Sequence, residues 1–188
     1  MAAPTVLLVP GLRDHVEQHW QTLLQVQNPA FRSVPAMGRD DLDCARRVAA
    51  IEQAAQAIAG PLLIVAHSGG CIMVAHWARQ TTRAVHGALL ATPPDFESPM
   101  PEGYPGIAQL RAGGWLPVPR QRLPFRSIVA ISRNDPLGHA DRVAALAADW
   151  GSTSADLGDV GHLNPASGHG PWPQALDFIA RLSASNAS

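Results

Sequence analysis

The sequence of 188 residues contains no lysine, since all fourteen of its basic residues are arginine. This absence excludes mechanisms that need a catalytic lysine, such as Schiff-base chemistry, and a phosphate-binding loop of the Gly-Lys-Ser type. Charged residues are scarce, at 15% of the chain against about 25% in a typical protein. They nearly balance, with a formal net charge of −1. We therefore expect neither nucleic acid nor an anionic membrane surface as a partner.

Cysteines and long hydrophobic runs are also few. Cys44 and Cys71 are the two cysteines, too few for a disulfide framework or a four-cysteine zinc site. No apolar stretch approaches the roughly 20 residues of a membrane helix. The N-terminal stretch lacks the basic start of a signal peptide, and Pro10 and Gly11 interrupt it. These features predict a cytoplasmic protein.

Apolar residues are plentiful, at 46% of the chain, and they fall into short uninterrupted runs. Such runs suit strands that are covered on both faces, as in a parallel sheet. The predicted strands are Thr5–Val9, 61–66, Gly87–Ala91 and 127–132, with a weaker candidate at 154–157.

Helical patterns lie between these runs. They cover residues 42–59, 70–80, 139–150 and 173–182. Asp40 or Asp41 is the expected N-cap of the first of these helices, and Gly60 its C-terminal stop. Alternation of strands and helices predicts one domain, residues 1–188, with an α/β fold: a mostly parallel sheet flanked by helices on both faces.

Residues 93–124 interrupt this rhythm with eight prolines and four glycines. The segment is too long and too rich in helix breakers for an ordinary connection. Two interpretations stay open: a cover over a functional site, or a surface excursion with one short helix near Ile107–Ala112. Trp115 in this segment and Trp20 near the N-terminus are candidates for lining an apolar substrate pocket, or for filling space over the sheet.

The strongest local motif is Ala66-His67-Ser68-Gly69-Gly70, between a predicted strand and a predicted helix. It resembles the G-x-S-x-G nucleophile elbow, with alanine in place of the first glycine. A sharp strand-to-helix turn would expose the Ser68 hydroxyl, and small neighbours would let strand and helix pass closely. The alternative is a tight turn with Ser68 as a helix N-cap.

A serine hydroxyl needs a base to react at neutral pH. His162 follows the last predicted strand, where the base of an α/β-hydrolase is found; His139 and His169 are competitors. The acid is expected between serine and histidine in the chain. Asp135 directly follows the strand at 127–132, 67 residues after Ser68 and 27 before His162. Asp159 is its rival.

Acyl transfer also needs two preorganised N–H donors for the oxyanion. The backbone N–H of Gly69, directly after the serine, is one candidate. The second is expected from the loop after the first strand, where Gly11 allows close approach and Leu12 supplies the N–H. A simple Pro-Gly turn at the end of the strand is the alternative.

Several motifs together resemble one family, the small serine α/β-hydrolases that include retinoblastoma-binding protein 9. They are VPGL at 9–12, HWQ at 19–21, AHSGG at 66–70, NDP at 134–136, and GHLN with SGHGPWP within 161–173. The resemblance spans nearly the whole chain. It implies a compact α/β-hydrolase fold, no cofactor, and a catalytic triad of Ser68, Asp135 and His162 that acts on ester or peptide-like acyl bonds of a small-molecule substrate.

Two other classes remain as alternatives. A metal-dependent hydrolase would take His162 and His169 with Asp135 or Asp159 as ligands, although no pair of histidines has helical four-residue spacing within a predicted helix. A binding protein could keep the hydrolase fold with weak or vestigial activity, because fold alone does not determine function.

Overall fold

In a computed structural model, which describes residues 3–184, six parallel strands form one sheet. In chain order they are β1 (Thr5–Val9), β2 (Arg32–Ser33), β3 (Leu62–His67), β4 (Gly87–Ala91), β5 (Ser127–Ile131) and β6 (Thr153–Asp156). Their order across the sheet is β2-β1-β3-β4-β5-β6. β3 is therefore central, and its C-terminal end lies between those of β1 and β4.

Helices cover both faces of the sheet. They are α1 (Trp20–Gln27), α2 (Cys44–Gln56), α3 (Gly69–Ala78), α4 (Ile107–Ala112), α5 (Ala140–Asp149) and α6 (Gln174–Ser183). Alternate strand residues point to opposite faces, so the side chains of β1 divide between two buried clusters. Val6 and Leu8 pack with α1 and α6, whereas Leu7 and Val9 pack with α2, α3 and α5. The predicted α/β architecture is confirmed.

The structure corrects the start of α2. Its N-cap is Asp43, whose carboxylate accepts a hydrogen bond from the N–H of Arg46, so the expectation of Asp40 or Asp41 was wrong. Asp41 instead accepts a hydrogen bond from the N–H of Asp43. The helix α1 and the two-residue strand β2 were not predicted from the sequence.

The predicted domain included residues 1–2 and 185–188, which lie outside the described range. Between residues 3 and 184, no helix combines the length and the hydropathy that crossing a bilayer requires. Residues 93–124 contain α4 and otherwise irregular chain.

Candidate active site

Ser68 lies alone between the end of β3 and the start of α3, at φ 55° and ψ −133°. A non-glycine residue rarely adopts such a positive φ, and strained positions of this kind cluster at active sites. Two hydrogen bonds hold the turn. The N–H of Ser68 donates to the carbonyl of Ala91 (3.0 Å), and the N–H of Cys71 donates to the carbonyl of Ser68 (2.8 Å). The hydroxyl makes no cap to α3, which argues against the simple N-cap interpretation.

Gly70 lets α3 cross β1 closely. A Cβ atom at this position would overlap the carbonyl oxygen of Val9 and lie 2.7 Å from that of Pro10. Both contacts are with main chain, which cannot move aside as a flexible side chain could. Ala66, two residues before the serine, is fully buried in β3 beside Val9, so its methyl group fits at the other small position of the elbow.

The side chains of Ser68, His162 and Asp135, which follow the ends of three different strands, form one chain of hydrogen bonds. The hydroxyl oxygen of Ser68 is 2.7 Å from Nε2 of His162. The other ring nitrogen, Nδ1, is 2.8 Å from Oδ2 of Asp135 and 3.0 Å from Oδ1. Since the carboxylate accepts the Nδ1 proton, the Nε2 lone pair faces the hydroxyl, which is the tautomer a general base needs. His162 and Asp135 are both buried, which keeps water from competing for these hydrogen bonds.

Asp135 lies on the loop after β5. Its Oδ1 atom also accepts a hydrogen bond from the N–H of Leu137 (2.9 Å), which holds the carboxylate towards the imidazole. Asp159, the rival acid, is exposed, and no hydrogen bond joins it to His162 within residues 3–184. The geometry therefore brings Asp135, and not Asp159, to the imidazole.

His162 lies on the loop after β6, and two hydrogen bonds hold the backbone at Gly161 and His162. Its N–H donates to Oγ of Ser167 (2.9 Å), and the N–H of the preceding Gly161 donates to Oδ1 of Asn134 (2.7 Å). Gly161 has a φ of +55°, and a Cβ there would lie 2.6 Å from Oγ of Ser167. Glycine is therefore required for the loop to present the imidazole in this position.

No other histidine hydrogen-bonds the Ser68 hydroxyl in the described part of the chain. His139 is exposed at the start of α5, and Nε2 of His76 bonds the carbonyl of Trp115. His67 points away from Ser68 and bonds the carbonyl of His162 through Nε2. Burial, with the neighbouring imidazoles of His19 and His162, lowers the pKa of His67 well below its usual value, so this ring stays neutral.

The loop after β1 packs directly on the elbow. A Cβ at Gly11 would lie 3.0 Å from Cβ of Ser68 and 3.4 Å from its Oγ, so only glycine fits here without displacing the serine. Cγ of Leu12 lies 3.0 Å from the position a Cβ would occupy on Gly69. Within residues 3–184, neither the Leu12 N–H nor the Gly69 N–H donates to a protein acceptor. Both donors are thus available beside the hydroxyl.

A cavity of about 750 Å³ opens above Ser68 and His162. Its walls come from the loop after β1, the loop after His162, and residues 93–124. The last segment contributes Phe96, Met100, Tyr104 and Gln109. A second cavity, of about 870 Å³, lies between α2, α3 and α4, and its lining includes none of Ser68, Asp135 and His162. We take the first as the candidate substrate site because it contains the reactive hydroxyl.

Trp20 and Trp115 are not in the lining of that cavity. Each is almost completely buried, at 1% and 0% exposure. Trp20 packs edge-on against Trp172, with ring centroids 4.9 Å apart. Trp115 packs edge-on against Phe96, and its indole N–H donates to the carbonyl of Leu42 (2.8 Å). Both indoles fill space over the sheet, the second of the two interpretations.

Among residues 3–184, no group of three or more His, Cys, Asp or Glu side chains has the arrangement of a metal site. His162 and Asp135 bond each other. The two cysteines are buried and unpaired. Burial, together with the negative charge of Asp43, raises the pKa of the Cys44 thiol to about 12, which makes it unreactive near neutral pH.

Comparisons with known proteins show the family and the fold of the chain. A family model described as serine hydrolase matches residues 6–181. A search of curated proteins finds no match. A solved structure described as a YdeN-like hydrolase from Pectobacterium atrosepticum is 26% identical, with a TM-score of 0.81 over 97% of this chain and 94% of that chain.

Two further solved structures share the fold at lower identity. The ydeN gene product of B. subtilis is 16% identical, with a TM-score of 0.74 over 95% of this chain and 98% of that chain. A protein described as a hydrolase of the α/β superfamily from Xanthomonas campestris is 17% identical, with a TM-score of 0.60 over 97% and 98%. The predicted α/β-hydrolase fold is confirmed.

Proposed function

The chain belongs to the serine hydrolase family, and we propose that it hydrolyses ester or peptide-like acyl bonds with Ser68 as nucleophile, His162 as base and Asp135 as orienting acid. The observation that carries this proposal is the unbroken chain of hydrogen bonds from hydroxyl to imidazole to carboxylate. The cavity above the hydroxyl gives a small-molecule substrate room to approach it.

The reaction runs in two halves. His162 takes the hydroxyl proton as Oγ of Ser68 attacks the substrate carbonyl carbon, and a tetrahedral oxyanion forms. The intermediate collapses, the bond to the leaving alcohol or amine breaks, and that group takes the proton from His162. Ser68 is left acylated. Water then attacks the acyl-enzyme, again with His162 as base, and the carboxylic acid product leaves with Oγ reprotonated. No cofactor takes part in this scheme.

The N–H groups of Leu12 and Gly69 form the oxyanion hole in this scheme. Both are free of protein acceptors within residues 3–184, and the packing of Gly11 on Ser68 brings their loops together. Fixed N–H dipoles of this kind stabilise the negative charge that develops on the substrate oxygen, and one donor contributes about 3–4 kcal/mol in well-studied hydrolases.

The motifs around Leu12, Ser68, Asp135 and His162 support a narrower placement, among the small serine α/β-hydrolases that include retinoblastoma-binding protein 9. Within that group we propose a carboxylesterase-like activity on esters or amides of small molecules. Esters are the more reactive substrates for a first assay, because an alcohol or phenol leaves more readily than an amine.

Labelling with a fluorophosphonate probe tests the nucleophile. We expect one covalent adduct by intact-protein mass, located on Ser68, absent in Ser68→Ala and retained in Ser154→Ala, whose serine is exposed on β6. A folded protein that neither reacts with the probe nor hydrolyses any ester in a panel of acyl lengths would instead be a binding protein with vestigial chemistry. Hydrolysis that survives Ser68→Ala and is stopped by EDTA would indicate a metal-dependent enzyme. Either result overturns the proposal.

A further inference from the structure

Arg13 lines the cavity above Ser68, and its guanidinium makes no ion pair within residues 3–184. Its guanidinium carbon lies 4.7 Å from the centroid of the Tyr104 ring. An aromatic ring covers one face of the guanidinium and leaves the N–H groups around its edge free. Arg13 therefore offers several unused donors to whatever occupies the cavity.

A tight turn fixes Arg13 next to the reaction centre. The N–H of Asp14 donates to the carbonyl of Gly11 (3.0 Å), and Asp14 has a φ of 55°. Leu12 and Arg13 thus occupy the tip of the turn. Their Cα atoms are about 3.8 Å apart across one peptide, so the guanidinium belongs to the residue that follows the proposed oxyanion donor. Arg13 and Ser68 line the same cavity, so a substrate that fills this cavity can contact both.

Three other charged side chains line the cavity, those of Asp14, Arg39 and Asp40. The carboxylate of Asp14 accepts hydrogen bonds from two backbone N–H groups and forms an ion pair with the buried Arg47. Arg39 and Asp40 are neighbours in the chain and carry opposite charges. Arg39 and Asp40 make no ion pair within residues 3–184, and Arg13 is the lining arginine that an aromatic ring holds in place.

We propose that Arg13 binds a carboxylate on the substrate, so that preferred substrates are esters or amides with a free carboxylate near the scissile bond. This inference rests on the proposed function. The planar guanidinium presents paired donors that match the two oxygens of a carboxylate. Tyr104, on the segment 93–124, is a positioning residue that holds the guanidinium over the cavity.

Two matched pairs of substrates test the proposal. In the first pair, the p-nitrophenyl monoester of adipic acid, whose free carboxylate lies on the acyl side, is compared with the uncharged ester in which a carboxamide replaces that carboxylate. In the second pair, 4-acetoxybenzoate, whose carboxylate lies on the leaving group, is compared with the uncharged 4-acetoxybenzamide. The readout is kcat/KM for the ester with the free carboxylate divided by kcat/KM for the ester with the carboxamide. The rate of hydrolysis measured with Ser68→Ala is subtracted from each as background. A general loss of activity cancels in this ratio.

We expect the wild-type protein to prefer the acid in at least one pair. In Arg13→Gln that ratio should fall about tenfold, the loss of a charge-assisted hydrogen bond at a partly exposed site. Arg111→Gln is the matched control. It removes the same charge from an exposed position on α4 that is outside the cavity lining, and it should leave the ratio unchanged. Raising the salt concentration should lower the wild-type ratio and have little effect on that of Arg13→Gln.

Substitutions of Tyr104 test its positioning role. Tyr104→Phe keeps the aromatic face and should keep the ratio, whereas Tyr104→Leu should lower it. A wild-type protein without preference for the acid in either pair, or a ratio unchanged in Arg13→Gln, overturns the proposal. If the ratio is unchanged in Arg13→Gln, the contact between Arg13 and Tyr104 serves only to hold the loop after β1 against the segment 93–124. If the ester bonds of the carboxamide substrates are still hydrolysed in a Ser68-dependent way, the proposed function stands although this inference has failed.

Discussion

Nε2 of His67 lies 2.9 Å from the carbonyl oxygen of His162. Because a carbonyl oxygen can only accept, Nε2 carries the proton and the His67 ring is a donor. The residue directly before the nucleophile thus holds the backbone of the base. This hydrogen bond connects the strand-to-helix turn of β3 and α3 with the loop after β6, across 95 positions of the sequence.

Replacement of His67 should therefore disturb both folding and catalysis. In His67→Phe, the one hydrogen bond left to the carbonyl of His162 from residues 3–184 is the long one of 3.5 Å from the Thr92 hydroxyl. We expect the free energy of unfolding to fall by about 1–3 kcal/mol, the cost of an unsatisfied buried acceptor, and kcat to fall because the imidazole is less well placed. His67→Gln keeps an N–H donor and should recover part of both. Urea unfolding and ester hydrolysis measure the two effects; full stability and activity in His67→Phe would contradict this role.

Removal of the nucleophile or the base should abolish turnover. We expect Ser68→Ala and His162→Ala each to lower kcat at least about a thousandfold, since residues that act as one unit lose most of their effect together. The double variant should be little worse than either single variant. Additive losses in the double variant would mean that the two side chains act independently. Far-UV circular dichroism and urea unfolding serve as controls for the fold.

The choice of acid has its own test. Asp135→Asn replaces the carboxylate that accepts the Nδ1 proton with an amide that can present a donor to Nδ1, which favours the wrong tautomer. We expect kcat to fall by about a thousandfold or more, up to the loss seen for such changes in other triads. Asp159→Asn, at the exposed rival, should keep most of the activity. The reverse result would assign the acid to Asp159.

Much of this arrangement is predictable from the sequence because parallel strands covered on both faces are continuous apolar runs. The bounds of β1 and β4 agree with the predicted runs at Thr5–Val9 and Gly87–Ala91. The helix α1 has only eight residues, fewer than the roughly 11–18 over which a helical repeat of apolar residues is recognised, and was therefore missed. Gln21, at its start, is buried and donates to the carbonyls of Val9 and Val65, so contacts distant in sequence stabilise it.

The lining of the cavity was less predictable. Trp115 belongs to the predicted segment 93–124, but which of its residues face Ser68 depends on the path of the chain. The indole N–H of Trp115 bonds Leu42 and turns this side chain into the core, whereas Tyr104 and Met100 face the cavity. No periodic pattern in an irregular, proline-rich segment reports this difference.

Gly70→Ala should be strongly destabilising. The added methyl group would overlap the carbonyl of Val9, and β1 cannot retreat because Val9 is paired with Ala66 in β3. We expect a loss of about 3 kcal/mol in the free energy of unfolding, measured by urea denaturation. Gly170→Ala is the matched control. It has no atom within 4 Å of the added Cβ and no positive φ, so its effect should stay within about 0.5 kcal/mol.

Mild acid should destabilise the fold through two buried histidines. Burial, with the His162 imidazole nearby, lowers the pKa of His19 from 6.5 to about 4, and burial lowers the pKa of His67 further below its usual value. When the pH falls below 6.5, the unfolded chain takes up protons at both positions and the folded chain does not. The free energy of unfolding therefore falls with pH between about 6.5 and 4.

The size of this effect follows from proton linkage. Between pH 7.5 and 5.5 each histidine that stays neutral in the fold should contribute a loss of about 1.4 kcal/mol, and the pair about 3 kcal/mol. Urea unfolding at the two pH values measures the loss, above the range in which most carboxylates titrate. His19→Asn keeps an acceptor for the N–H of Gln21 that caps α1, and it should reduce the pH dependence by about half. His139→Asn, at an exposed histidine, should leave it unchanged; an equal reduction in both variants would contradict the assignment to the buried pair.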